Sequence, residues 1–287
     1  MRAIIAPNED PKLVYQACVN SIRDKDLRDR LNILTDDICI SAEDYKQKAI
    51  AKQLYTILPN NCKNEEIALG QVTKEELINV YTTHMVGSAK PARQAYYDLL
   101  LSRALSGKCP FCGFGQVWTL DHYLPKTTYP QLSVVPSNLV PSCRDCNTGK
   151  STFIATTQDN QSLHPYFDHR IITNEQWLFA KVIQTLPVTI QFYVKAPINW
   201  DESSKARVHA HFKDYKLELR YSLEASDQLG CLRDTLSQYK NLLGVEAVKQ
   251  HLLIESKTHL RKHTNSWQTA MFQALAVSDW YCNGGFQ

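Results

Sequence analysis

The sequence has no long apolar run and no strong excess of either charge. No segment approaches 18 consecutive apolar residues, the length that a membrane-spanning helix needs. The opening residues MRAIIAPNEDPK become charged before the apolar region of a signal peptide could form. The formal net charge is only +3 on 287 residues, so any binding to nucleic-acid phosphates has to be local. These absences predict a cytoplasmic protein that does not insert into a membrane.

Internal repeats and low-complexity tracts are also missing, and the balance of 44% apolar to 21% charged residues is that of an ordinary globular protein. Residues 1–106 show helical signals, such as the capping-box spacing of Thr73 and Glu76. Residues 107–170 are interrupted by prolines and glycines. Residues 171–287 predict a short β hairpin followed by helices. We therefore predict three regions with these boundaries.

Apolar periodicity gives more detailed expectations within these regions. The segment VWTLDHYL predicts a strand, and a helix can follow over residues 143–155. WLFAKVI and VTIQFYVKA predict the two strands of the later hairpin. The clearest helices after Ser203 are predicted at 204–221, 224–241 and 245–262.

Four of the nine cysteines form two Cys-x-x-Cys pairs. Each such turn directs two thiolates at one ion, and two turns complete a tetrahedral four-cysteine shell; the pairs are Cys109/Cys112 and Cys143/Cys146. This spacing predicts a structural zinc ion. An iron–sulfur cluster and a redox-active pair are the alternatives. The other five cysteines are scattered and are predicted to be small buried thiols: Cys18, Cys39, Cys62, Cys231 and Cys282.

The two pairs are separated by 30 residues, Gly113 to Ser142, whereas a plain zinc ribbon has about 15 to 20. The extra length contains Asp121 and His122. Phosphodiester cleavage needs a base that activates water and a cation that stabilises the charge on the phosphorane. An imidazole suits the base, and the oxygens of Asp121 and Asn147 suit a hard cation such as Mg²⁺. We therefore predict that the segment between the two cysteine pairs carries a catalytic site.

The pattern CPFC…LDH…NL…CRDCN…K resembles the HNH nucleases, which have a ββα-metal fold. The resemblance implies that His122 is the general base and that Asp121 and Asn147 bind catalytic Mg or Mn. It also implies that Asn138 holds the loop that orients the base. The implied fold class is α+β, mainly α, with a zinc-stabilised ββα-metal (HNH) core between helical flanks. The third position of the HNH motif, which is often histidine in this family, is occupied by Asn147 in this sequence.

Two further residues are candidate substrate contacts. Lys150, about one helical turn after Asn147, would lie near the phosphate by the same resemblance, or it is an ordinary solvated lysine. His164, in LHPYFD, is predicted either to approach the phosphate or the metal, or to pack beside Tyr166 and Phe167.

The order of these segments also resembles the HNH nucleases of Septu-type anti-phage systems, which are encoded beside an ATPase. This implies a DNA endonuclease that acts in anti-phage defence with an ATPase partner of the SMC or ABC type. The alternative is a non-catalytic zinc module that binds nucleic acid or protein. Such a module has no use for a base beside a hard metal ligand, so Asp121, His122 and Asn147 favour the enzyme.

Overall fold

A computed structural model describes residues 1–149 and 154–287 of the chain. The fold is α+β and mainly helical, as predicted, and the described strands form three separate two-stranded antiparallel sheets. The chain divides into two units, Arg2–Asp168 and His169–Gln287, the second of which includes Met1. In the described ranges, no helix has the length and apolar character needed to cross a membrane. The predicted division into three regions stays a prediction.

The unit Arg2–Asp168 contains five α-helices and a small hairpin before the cysteine-rich segment. Its elements are α1 (Pro11–Val19), α2 (Lys25–Ile33), α3 (Thr35–Ile50), β1 (Ile67–Leu69), β2 (Val72–Thr73), α4 (Lys74–Asn79), α5 (Asp98–Ser102), β3 (Thr119–His122), β4 (Leu139–Ser142) and α6 (Arg144–Gly149). Two π-helical turns flank the break between α4 and α5, at Val80–Met85 and Arg93–Tyr97. Short 3₁₀ turns occur at Leu54–Thr56, Leu105–Gly107, Pro130–Leu132 and Pro136–Asn138.

The starts of the helices follow from local capping. Asp10 accepts a hydrogen bond from the Lys12 N–H at the start of α1, where Pro11 occupies the first helical position. Thr73 and Glu76 form the predicted capping box: Thr73 Oγ1 accepts from the Glu76 N–H, and Glu76 accepts from the Thr73 N–H at 2.8 Å.

The helices and the β3–β4 hairpin share one hydrophobic core. Val14 and Cys18 of α1 are fully buried in it. Leu120 of β3 and Leu139 of β4 belong to the same cluster. Burial of these two side chains therefore fixes the hairpin against the helices, and with it the residues that lie beside them in sequence.

The first strand of the central hairpin, β3, is shorter than the predicted strand VWTLDHYL. Strands β3 and β4 pair antiparallel from Thr119↔Ser142 to His122↔Leu139. Helix α6 begins two residues after β4, so the chain runs strand, loop, strand, helix. The prediction of a helix over 143–155 is too long, because Cys143, Ile154 and Ala155 are not helical.

The unit that begins at His169 has the predicted hairpin and a longer central helix than predicted. Its elements are α7 (His169–Thr173), β5 (Leu178–Ile183), β6 (Thr189–Val194), α8 (Glu202–Asp214), α9 (Leu217–Leu243), α10 (Val245–Lys262), α11 (Trp267–Ala276) and a π-helical turn (Tyr281–Gly285). The predicted break between 221 and 224 is wrong. The chain breaks at Lys216, which has φ of 50°, because the buried stripe of Leu217, Tyr221 and Ala225 continues through the predicted break.

Candidate active site and metal centre

The two Cys-x-x-Cys pairs meet at one point. The sulfur atoms of Cys109, Cys112, Cys143 and Cys146 lie within 4.8 Å of one another, and all four side chains are buried. The first pair precedes β3, and the second lies where β4 gives way to α6. Backbone N–H groups of Gly115 and Cys146 donate to Cys112 Sγ at 3.3 Å and Cys143 Sγ at 3.5 Å. The cluster therefore ties both ends of the hairpin segment together.

The donor set fits a closed metal site. Hydrogen bonds within the cluster, that from Cys109 first, lower the pKa of Cys143 to about 7 and lower the pKa of Cys112 as well. Burial raises the pKa of Cys109, and hydrogen bonds within the cluster, that with Cys109 first, raise the pKa of Cys146, so the fit to a metal rests on the positions of the four sulfur atoms. Thiolates are the form that binds zinc, and four of them complete a tetrahedral shell with no open position. The four cysteines are thus positioned to bind a metal ion, and the set is compatible with structural zinc.

Gly115 leaves room for this cluster. A Cβ atom at this position would lie 2.8 Å from Cys143 Sγ and 3.3 Å from Cys112 Sγ, closer than side chains normally approach. The sequence shows Gly115 only as one of several helix breakers. The structure gives it a specific role, because only glycine lets the chain pass this close to two metal ligands.

The five remaining cysteines do not all match the prediction of buried thiols. Cys18 and Cys282 are buried as predicted. The prediction is wrong for the other three, because Cys39 and Cys62 are half-buried and Cys231 is exposed.

At the other end of the hairpin, strand β3 delivers Asp121 and His122 as its last two residues. Both side chains are buried, with 8% and 7% exposure. Tyr81, from the first π-helical turn, donates its hydroxyl to Leu120 O at 2.9 Å. Tyr97, from the second π-helical turn, accepts from the Leu120 N–H at 3.4 Å. The two π-helical turns therefore supply hydrogen-bond partners for Leu120, the residue that precedes Asp121.

The ring of His122 is held in one orientation. Its Nε2 lies 2.8 Å from Ser133 O, and since a carbonyl only accepts, Nε2 carries the proton. In the neutral ring the lone pair is then on Nδ1. The Tyr81 ring packs edge-on against the imidazole with 4.4 Å between centroids. Ser133 is itself fixed, because its hydroxyl donates to Leu77 O at 2.9 Å.

Asn138 holds the loop between the two strands. Its side chain is fully buried, and Oδ1 accepts from the Leu124 N–H at 2.7 Å. Its Nδ2 donates to Leu124 O at 3.0 Å and to Leu132 O at 3.2 Å. One carboxamide thus joins the start of the loop to Leu132, the residue before Ser133, whose carbonyl accepts the hydrogen bond from His122 Nε2.

The last two residues of the predicted pattern are Asn147 and Lys150. Asn147 is exposed on α6, which contacts β3, and its backbone N–H donates to Cys143 O at 3.0 Å. Its side chain can reach solvent while its backbone is fixed beside the cysteine cluster. Lys150 lies outside the described residues.

His164 is packed inside the unit with 1% exposure. Its Nδ1 accepts from the Tyr166 N–H at 3.1 Å, and Nε2 lies 3.0 Å from the Tyr45 hydroxyl. The Tyr123 ring stacks on the imidazole at 4.2 Å, and Phe167 packs edge-on at 4.8 Å. Both ring nitrogens are used within the protein, which favours the packing role over contact with substrate.

Two residues beside the site, Lys126 and Tyr81, carry no functional signal in the sequence. Lys126 Nζ lies 5.5 Å from the centroid of the Tyr81 ring. Burial lowers the pKa of Lys126, while the nearby Asp121 carboxylate raises it. Burial also raises the pKa of Tyr81, so this phenol stays protonated. Nothing in DHYLPK separates Lys126 from a solvated lysine, and Tyr81 lies on an element far from Asp121 in the chain.

The chain is similar to protein Ea31 of Escherichia phage lambda, with 36% identity over 231 residues, which cover 76% of this chain and 77% of Ea31. The chain belongs to the Ea31 family. A stretch of 62 residues is 39% identical to Septu protein PtuB of Bacillus thuringiensis and covers 20% of this chain and 24% of PtuB. No protein-family model matches the chain, and no solved structure matches it.

Proposed function

We propose that this chain is a metal-dependent HNH endonuclease that hydrolyses phosphodiester bonds in DNA. One observation carries the proposal: β3 ends in Asp121 and His122, and the His122 proton is fixed on Nε2 by Ser133 O. The strand–loop–strand–helix order around this pair, with a four-cysteine cluster at its base, supports the same reading.

His122 acts as the general base in this proposal. With Nε2 donating to Ser133 O, the Nδ1 lone pair can accept a proton from the attacking water, and the resulting imidazolium keeps its hydrogen bond to the carbonyl. A ring held by a hydrogen bond and by packing against Tyr81 needs little reorientation before proton transfer.

Asp121 and Asn147 would hold the catalytic cation, Mg²⁺ or Mn²⁺. Their carboxylate and amide oxygens are the hard ligands that such ions prefer, and the helix carrying Asn147 contacts the strand carrying Asp121. When bound, the ion supplies charge stabilisation for the phosphorane and its leaving oxygen. The zinc at the cysteine cluster is structural in this proposal, since four thiolates leave it no open position.

The test is cleavage of plasmid DNA with Mg²⁺ or Mn²⁺ by the wild type and by His122→Ala. Loss of the base should lower the rate by about 10² to 10⁴-fold while zinc content stays unchanged. His169→Ala, which removes an exposed histidine, is the matched control and should cut at the wild-type rate.

Two outcomes contradict the proposal. A zinc-loaded wild type that binds DNA or a protein but cuts nothing with either ion would be the non-catalytic module. Cleavage by His122→Ala at the wild-type rate would show that another group is the base.

The partial similarity to Septu protein PtuB supports a role in anti-phage defence. The resemblance to ATPase-coupled nucleases extends the proposal to an ATPase partner of the SMC or ABC type. A tagged chain purified from its native host should bring down that ATPase, and His122→Ala should keep the partner but lose protection against phage. Recovery of a lone chain with strong DNA cleavage at physiological salt would contradict the partner.

A further inference from the structure

The loop after His122 places one lysine at the candidate site. The residues on both sides of Lys126 are fixed by backbone hydrogen bonds: Asn138 clamps Leu124, and Pro125 O accepts from the N–H groups of Thr128 and Tyr129 at 2.9 Å and 2.8 Å. Pro125 also restricts its own φ angle. The base of the Lys126 side chain is therefore held in place.

The Tyr81 ring links this lysine to the candidate base. The Tyr81 and His122 rings form a T-shaped pair with 4.4 Å between centroids, and Lys126 Nζ lies 5.5 Å from the Tyr81 centroid. An ammonium near an aromatic ring is attracted to the negative face, and this attraction grows when the group is partly withdrawn from water. Lys126 is half-buried, and its ammonium group lies over the same ring that packs against His122.

Asp121 supplies negative charge near Lys126. If Asp121 binds a divalent cation, as the proposed function requires, its carboxylate is committed to that ion. The positive charge of Lys126 beside that metal ion is then favourable only if a further anion binds there. The scissile phosphate is such an anion, since its non-bridging oxygens gain charge in the transition state.

We infer that Lys126 is a further catalytic residue, whose ammonium contacts the scissile phosphate beside His122. This inference rests on the proposed nuclease function and adds the cation that stabilises the reacting phosphate. A lysine binds phosphate as a point charge, without base readout, so the contact would not select a sequence.

The test uses two substitutions. Lys126→Met keeps the aliphatic stem on Tyr81 but removes the charge, and Lys126→Arg keeps the charge. We expect Lys126→Met to lower the single-turnover cleavage rate by about 100-fold, as loss of one preorganised donor does, and Lys126→Arg to restore part of it. Lys46→Met removes an equal charge from the exposed side of α3 and should leave the rate unchanged.

Binding gives a readout that a purely structural role would not change. In the His122→Ala background, which prevents cleavage, affinity for a short random-sequence DNA duplex is measured against salt concentration. Loss of one phosphate contact should make the slope of log affinity against log salt shallower by about 1. Melting temperature and zinc content should match the wild type.

A different pattern would overturn the inference. If Lys126→Met leaves the salt slope unchanged and lowers the Mg²⁺ concentration needed for half-maximal cleavage, Lys126 is a counter-ion of Asp121. If Lys126→Met cleaves at the wild-type rate while His122→Ala is inactive, the inference about Lys126 is also overturned, and the proposed function stays intact. Absence of cleavage by the wild type would instead remove the proposed function itself.

Discussion

The two ends of the β3–β4 hairpin are held by different physical means. At the Thr119/Ser142 end, four cysteine sulfurs lie within 4.8 Å of one another and are positioned around one metal ion. At the His122/Leu139 end, hydrogen bonds within the protein orient the polar residues: His122 to Ser133 O, and Asn138 to Leu124 and Leu132.

This difference predicts different responses to damage. A metal site concentrates its stabilisation in one ion, so one lost ligand affects the whole segment. A hydrogen-bond network divides its stabilisation among contacts of about 1 kcal/mol each, so one loss is local. The metal end should therefore fail as a unit, whereas the catalytic end should fail in steps.

The largest effect is expected at the metal end. Cys143→Ser should abolish metal binding, because it removes one of four thiolates from a site whose ion contributes on the order of 10 to 16 kcal/mol in small zinc domains. Zinc content by elemental analysis should fall from about one equivalent to none, and the hairpin segment should lose protection from hydrogen exchange. Cys231→Ser changes an exposed thiol and should do neither. Retention of one equivalent in Cys143→Ser would refute the four-cysteine assignment.

A smaller but still substantial effect is expected for Asn138→Ala. The change leaves the buried Leu124 N–H and the carbonyls of Leu124 and Leu132 without this partner, at a cost of about 3 kcal/mol. The melting temperature should fall and DNA cleavage should fall with it, because the loop that carries Ser133 loosens. Zinc content should stay at one equivalent. Asn20→Ala, at an exposed site, is the control, and equal stability of the two variants would contradict the loop-holding role.

Gly115→Ala tests the metal end without removing a ligand. The added methyl group would meet Cys143 Sγ at 2.8 Å and displace it. Changes just outside a metal shell typically weaken metal affinity by about 10 to 100-fold, and competition with a chelator should show a loss of this size. Gly230→Ala adds the same methyl group where no atom outside the adjoining helix backbone and its two chain neighbours lies within 4 Å, so it should leave metal affinity unchanged. Unchanged affinity in both variants would mean that the segment around Gly115 shifts freely.

The same two ends differ in how far the sequence predicts them. The cysteine cluster is predictable because Cys-x-x-Cys spacing is local and one ion satisfies two such turns. The Asp121–His122 pair is also visible, since its position inside the cluster is a sequence property. The partners of His122 are not, because a backbone carbonyl at Ser133 and a ring from Tyr81 leave no signal in residue spacing.

Long-range packing explains the other differences. His164 lies in a motif that suits either substrate contact or packing, and its neighbours Tyr45 and Tyr123 come from distant parts of the chain. Local signals predict a helix break between 221 and 224, several residues after the observed break at Lys216, because the buried stripe of α9 runs through the segment that those signals divide. Residue type and spacing thus give the candidate ligands and base, whereas tertiary contacts decide how each is oriented.

The smallest effect is expected for Tyr81→Phe, which removes one hydroxyl from the catalytic end. Leu120 pairs with Pro141, which has no N–H, and Leu120 O accepts from Tyr81 at 2.9 Å and from Thr119 Oγ1 at 3.3 Å. Because the second donor remains and the ring stays against His122, the loss should be about 1 kcal/mol, measured by urea denaturation. DNA cleavage should change by only a few fold. Tyr193→Phe, at a side chain that is 38% exposed, is the control and should change neither. A loss of cleavage as large as that of His122→Ala would show that the Tyr81 hydroxyl takes part in the reaction, and the catalytic end would then depend on one group as the metal end does.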